Sequence, residues 1–322
     1  MSEKIKEPIE SYGLNQRSKT KPLFSQIGIV GCGKDGSLIA TQVAMCGMDV
    51  VFLELSEEKI KNSYSIIESI FDKKIQGWGL TESEKKVQMG RIQGTTEYKD
   101  LANCDFVIEA VRYDKNIAER GMEERKNIFK QLEAVLSEKA IIATNVTTIV
   151  VSDLVAELKH RDRCVGLHFL SNVPESNILE IVRGIDTSDE TFEIARQFTK
   201  LINYQSVEVM ESSGVVSMRL FLTQLNEACS ILMEGISTVE DIDEIMKVGF
   251  GYRQGLFQTA DHLGIDKSVK LMENMFREFG NVKYKASPVL VRMARAGKNG
   301  IHSGEGFYKY DEQGNIINNK NK

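Results

Sequence analysis

Short aliphatic runs alternate with stretches of helical period up to about residue 210, and then the alternation stops. Strands are expected at residues 27–30, 49–53, 105–110, 140–144, 164–169 and 178–182, with a further strand, helix and strand over 187–210. A helix-compatible run follows the first strand to about Cys46. Ser56 starts another helix, with Glu57 and Glu58 in its first turn and Ile60, Tyr64, Ile67 and Ile70 along one face. Gly77-Trp78-Gly79-Leu80 ends it, and the TxxE spacing of Thr81 and Glu84 is a capping box for a short helix. A charged helical stretch spans about 115–137, its ERGMEER start reading as an inserted or extended segment, and Ser152 is expected to cap a short helix. Beyond Ser213 the pattern is helical: 215–233, 239–248, 265–279 and 288–296, with one further strand at 306–310.

This pattern specifies an α/β fold, a Rossmann-type, mostly parallel sheet domain followed by an all-α C-terminal domain. The division expected is an N-terminal extension at 1–24, the sheet domain at 25–212, the helical domain at 213–311 and a polar tail at 312–322.

Residues 26–54 organise the rest: strand, glycine turn, helix, strand, acid. The turn reads Gly31-Cys32-Gly33-Lys34-Asp35-Gly36. Gly31 permits the tight turn, Gly33 lets backbone approach a pyrophosphate, and Gly36 lets the helix pack against the strand. The helix N-terminus offers free N–H groups to phosphates. Glu54, at the end of the second strand, is placed for a ribose diol and would repel a 2′-phosphate, so NAD is expected rather than NADP. Asp35 sits in the first helical turn, where it would compete with a pyrophosphate, and Lys34 beside it is positioned to compensate.

Composition narrows the class. The chain has 322 residues, 42% apolar and 27% charged, with a net charge of −5 and no basic block, so nucleic acid is excluded as a partner. No apolar run is long enough to span a membrane, and the N-terminus lacks an apolar signal core. Cys32, Cys46, Cys104, Cys164 and Cys229 are odd in number and form no CxxC pair, which fits a reduced, cytoplasmic protein.

Ligands of open parallel sheets bind beyond the carboxyl ends of the strands. Glu54, Glu109, Asn145, Thr147 and His168 fall at such ends, and Glu180 follows His168 by twelve residues. An imidazole there can take a proton from an alcohol while a hydride leaves the same carbon, and a carboxylate can fix its tautomer. His160, His262 and His302 lack such a setting. No His/Cys cluster has metal-ligand spacing and no GxSxG is present.

From about Gln26 to Tyr310 the chain resembles the L-3-hydroxyacyl-CoA dehydrogenases, including the bacterial 3-hydroxybutyryl-CoA enzymes. The resemblance rests on IGIVGCGxxG, Val107-Ile108-Glu109-Ala110, Ala143-Thr144-Asn145, Gly166-Leu167-His168-Phe169 and Glu180-Ile181-Val182. Further on it rests on Glu240-Asp241-Ile242-Asp243, Gly249-Phe250-Gly251-Tyr252 and Gly304-Glu305-Gly306-Phe307-Tyr308.

The resemblance implies hydride transfer between NAD and a 3-hydroxyacyl-CoA, with His168 as base and acid, Glu180 orienting it, and Thr147 hydrogen-bonding the substrate. Gly31, Gly33, Gly36, Glu54, Glu109 and Asn145 would form the cofactor side, and the helical domain would cover the cleft and form a homodimer. The departures lie near the substrate: Ser171 and Met218 stand where the family has asparagines, and Gly251-Tyr252-Arg253-Gln254-Gly255-Leu256-Phe257 lacks the family's prolines. Met218 has no hydrogen to donate. Two other readings stay open: a dehydrogenase of a free 3-hydroxy acid, and a non-catalytic NAD-binding homologue.

Overall fold

The computed structural model describes residues 24–111, 118–170 and 176–317, with only the backbone of 118–120. Its elements run β1 Gln26–Val30, α1 Lys34–Met45, β2 Asp49–Leu53, α2 Glu57–Gln76, α3 Glu82–Met89, β3 Ile92–Thr95 and β4 Phe106–Glu109. Then come α4 Ala118–Val135, β5 Ile141–Thr144, α5 Val151–Val155, β6 Cys164–Phe169, β7 Ile178–Arg183, α6 Asp189–Leu201 and β8 Gln205–Met210. The rest is helical: α7 Ser217–Met233, α8 Val239–Glu244, α9 Leu256–Leu263, α10 Ile265–Phe279 and α11 Pro288–Arg295.

The strands form one sheet in the order β3-β2-β1-β4-β5-β6-β7-β8. Every pairing is parallel except β6 with β7. Alternate side chains of each strand enter opposite layers, as the period of two requires. Ile27, Ile29 and Phe52 pack with Ile39 and Val43 of α1 and with Ile67 and Phe71 of α2. Val30, Val51 and Val107 face the other way, onto Phe129 and Leu132 of α4 and Leu154 of α5. A separate core joins Leu222 and Leu225 of α7 to Phe257 of α9, Met272 of α10 and Leu290 of α11.

The helix starts follow the local chemistry. Ser56 Oγ accepts from Lys59 N, and Thr81 and Glu84 form the reciprocal capping box. The buried stripe of α2 is Ile60, Ser63, Ile67 and Phe71, with Ile70 only half-buried at its margin.

Three expectations need correction, and one strand was not foreseen. Ser152 lies inside α5, whose N-cap is Val150, and its N–H and hydroxyl both go to Glu211. Residues 306–310 form no strand, because Asp261 takes the backbone N–H groups of Phe307 and Tyr308 that a ladder would need; isolated bridges at Glu305 and Tyr310 remain. The helix expected at 239–248 changes to a π-helical turn at Ile245–Gly249. Strand β3 had no clear signal: it is a four-residue edge strand interrupted by Gly94. The extension at 1–23, Ser171 and most of the 312–322 tail's end (318–322) lie outside the described residues.

Candidate active site

The glycine turn is built for close approach. Gly31 has φ +86°, and a Cβ there would lie 2.8 Å from Val111. A Cβ on Gly36 would lie 2.1 Å from the Gly31 carbonyl oxygen, so only glycine lets α1 start this near β1. Around Gly33, by contrast, the space is open. The N-cap of α1, Gly33, makes no side-chain hydrogen bond to the start of the helix. Glu54 Oε1 accepts from Cys32 N at 2.7 Å, so the acid that ends β2 also braces the turn. Cys32 is a buried filler, its thiol pushed up to about 12 by burial. These features fit a dinucleotide's pyrophosphate at the turn and its ribose at Glu54.

Lys34 Nζ lies 3.4 Å from His302 Nε2, and Asp35 faces Lys267 of α10 at 4.0 Å. Both contacts cross from the sheet to the helical part of the chain.

Glu109 is fully buried at the end of β4. Its carboxylate accepts from Arg125, from Thr144 Oγ1 at 2.7 Å and from Val111 N. Asn145, after β5, accepts from Phe169 N through Oδ1 at 3.0 Å, tying the ends of β5 and β6 together.

His168 and Glu180 are direct partners across the one antiparallel pairing of the sheet. Directly opposed residues point to the same face, so the twelve-residue spacing becomes a contact: His168 Nδ1 lies 2.8 Å from Glu180 Oε2, with both side chains buried. The carboxylate is held from a second direction. Val216 N and Ser217 N donate to Oε1 at 3.0 and 2.9 Å, and Ser217 Oγ donates to Oε2 at 2.7 Å. Glu180 thus caps the start of α7, where the helix dipole favours an anion. Burial works against its charge, but the hydrogen bonds from His168 and Ser217 and the nearby imidazole outweigh burial, and the carboxyl stays below its ordinary range.

The chain enters α7 through Gly214 at φ +83° and Val215 at φ +43°. A β-branched residue in the left-handed region costs on the order of 1–3 kcal/mol. That strain sits immediately before the two N–H groups that hold Glu180.

His168 opens on a small chamber lined also by Asp35, Asn145, Thr147, Met218 and Lys267. Asp35, Asn145, Thr147 and Lys267 continue into a cleft of about 880 Å³ between the carboxyl edge of the sheet and α10. The site residues therefore fall in two groups. His168, Thr147 and Asn145 share the chamber, with Glu180 behind the histidine. Gly31, Gly33, Gly36 and Glu54 lie at the first turn, while Glu109 is closed off among its partners.

The profile of the NAD-binding domain of 3-hydroxyacyl-CoA dehydrogenase matches residues 26–212, and that of the C-terminal domain matches 214–310. The chain belongs to the 3-hydroxyacyl-CoA dehydrogenase family. It is an NAD-dependent oxidoreductase. The dehydrogenase is 34% identical to the probable 3-hydroxybutyryl-CoA dehydrogenase of Deinococcus radiodurans, over 88% of this chain and 100% of the relative. Among solved structures it is similar to FadB2 of M. tuberculosis, with a TM-score of 0.84 and 30% identity over 89% of this chain and 99% of that one. It is also similar to the (S)-3-hydroxybutyryl-CoA dehydrogenase PaaH1 of Ralstonia eutropha, with a TM-score of 0.80 and 33% identity over 90% and 100%.

Sequence reasoning passed over Ser217 and Lys267. Neither sits at a strand end, and each reaches the dehydrogenase's chamber or its acid only through the packing of α7 and α10 on the sheet.

Proposed function

We propose that the enzyme interconverts a 3-hydroxyacyl-CoA and a 3-oxoacyl-CoA, with His168 moving the proton and Glu180 orienting it. The observation that carries this reading is the His168–Glu180 contact at the edge of the chamber. With Nδ1 committed to the carboxylate, Nε2 is the ring nitrogen left to the substrate. In oxidation it takes the hydroxyl proton while NAD accepts the hydride from the same carbon; in reduction the imidazolium returns it. Glu180 stabilises that imidazolium. Thr147, which lines the same chamber, hydrogen-bonds the substrate oxygen, and Asn145 serves the cofactor. Gly31, Gly33, Gly36 and Glu54 hold the pyrophosphate and ribose, with the division of labour at residues 212–213.

We also propose a homodimer and a cytoplasmic location. The dimer is supported by Leu220, Met233, Ile236, Ile245, Val248 and Phe250, all exposed on the helical domain. The location is supported by five free cysteines. Among the described residues no helix is long and apolar enough to cross a membrane.

A second reading, a free 3-hydroxy acid as substrate, is favoured by Met218, which lines the chamber where the resemblance leads one to expect an amide, and by Lys267 beside it. NADH oxidation with acetoacetyl-CoA and with acetoacetate, wild type beside His168→Ala, separates the two. Turnover of the thioester that collapses in the variant supports the first reading. Turnover of the free acid alone selects the second.

A further inference from the structure

Ser217 is the first residue of α7 and makes three contacts with the proposed dyad. Its N–H and hydroxyl donate to different oxygens of Glu180, and its Oγ lies 3.4 Å from His168 Nδ1. We propose that Ser217 is a positioning residue of the His168–Glu180 pair, its hydroxyl sharing Oε2 with the imidazole and so setting how strongly Glu180 holds that ring. The proposal rests on the reading of His168 as the proton-transfer group.

The geometry leaves the carboxylate no slack. Oε1 receives Val216 N and Ser217 N, and Oε2 receives His168 Nδ1 and Ser217 Oγ. The turn that presents these donors is itself pinned beside the chamber: Gly214 N donates to the Thr147 carbonyl at 2.9 Å, and Ser213 Oγ donates to that of Thr148 at 2.8 Å. A donor that shares Oε2 draws off part of the negative charge that would otherwise stabilise the imidazolium. Ser217 therefore weakens the pull on His168 without releasing the ring, keeping the imidazole a competent acid as well as a competent base. The other charged groups facing the chamber are Asp35 of α1 and Lys267 of α10, opposite one another at 4.0 Å.

The test compares wild type, Ser217→Ala and Ser217→Thr by two measurements: the pH profile of kcat/KM in both directions, and NMR titration of the His168 ring in the unliganded protein. Removing the hydroxyl leaves Oε2 to the imidazole alone, so the histidine limb and the NMR midpoint move upward by roughly half a pH unit, the scale of one modest hydrogen bond. KM for NADH stays unchanged, and threonine returns both values to those of wild type. An unmoved midpoint in Ser217→Ala overturns the proposal, and so does a threonine variant displaced as far as the alanine one. The reading beneath it fails separately, by full turnover in His168→Ala, whatever the NMR titration of Ser217→Ala shows.

Discussion

Glu109, at the end of β4, and Glu180, within β7, are both buried, and they are held in different ways. Glu109 is neutralised by Arg125 and takes further bonds from Thr144 and Val111. A guanidinium stays charged at any accessible pH, so this pair is fixed. Glu180 is paired with an imidazole, a group able to gain and lose a proton, and its remaining donors come from Val216 and Ser217 at a helix start. Burial and residue type are alike in the two; the partners differ.

The sharpest break in that comparison is His168→Ala beside His168→Ala/Glu180→Gln. Loss of the proton-transfer group lowers kcat by about 10²–10⁴-fold. The double variant falls no further, because the acid acts only through the ring; additive losses in steady-state kinetics would give Glu180 a role of its own. Next is Glu109→Gln, which breaks a buried ion pair with Arg125 and lowers unfolding stability by about 3–5 kcal/mol in denaturant titration. If NADH affinity survives in calorimetry, Glu109 is a brace. If affinity falls while stability holds, it is a cofactor ligand. Glu180→Gln alone keeps a smaller effect on stability and lowers kcat by about 10²-fold, the lower end of the range for acid–base groups.

The smallest effect is the pH dependence of stability. The folded carboxyl of Glu180 lies below its ordinary value of 4.5. Its contribution is thus complete above pH 4.5 and is lost as pH falls through the folded value. Acid unfolding curves of Glu180→Gln are flatter than wild type in that window, and identical curves would show that the hydrogen bonds do not offset burial.

The glycine turn was legible because its spacing is compact in sequence, and Gly36 is forced by the carbonyl of nearby Gly31, although what crowds Gly31 is the distant Val111. The His168–Glu180 contact was legible in spacing, although the reason for the spacing, a reversed strand, was not. Ser217 was not legible. It lies 37 residues after Glu180, and only the docking of α7 brings its hydroxyl to the carboxylate. Strand β3 escaped because an edge strand of four residues with a glycine inside carries little period. Ser152 was misread as a cap because the partner that claims both its donors, Glu211 from after β8, is distant in sequence.

The reversal of β7 has one more implication, for how the enzyme tolerates change. The alignment of His168 with Glu180 is carried by the ladder from Gly166–Val182 to Phe169–Leu179. A slip of one residue would turn the glutamate to the other side of the sheet. The ladder therefore carries the alignment of the pair, so a change that loosens β6 against β7 would reach the site without altering either side chain.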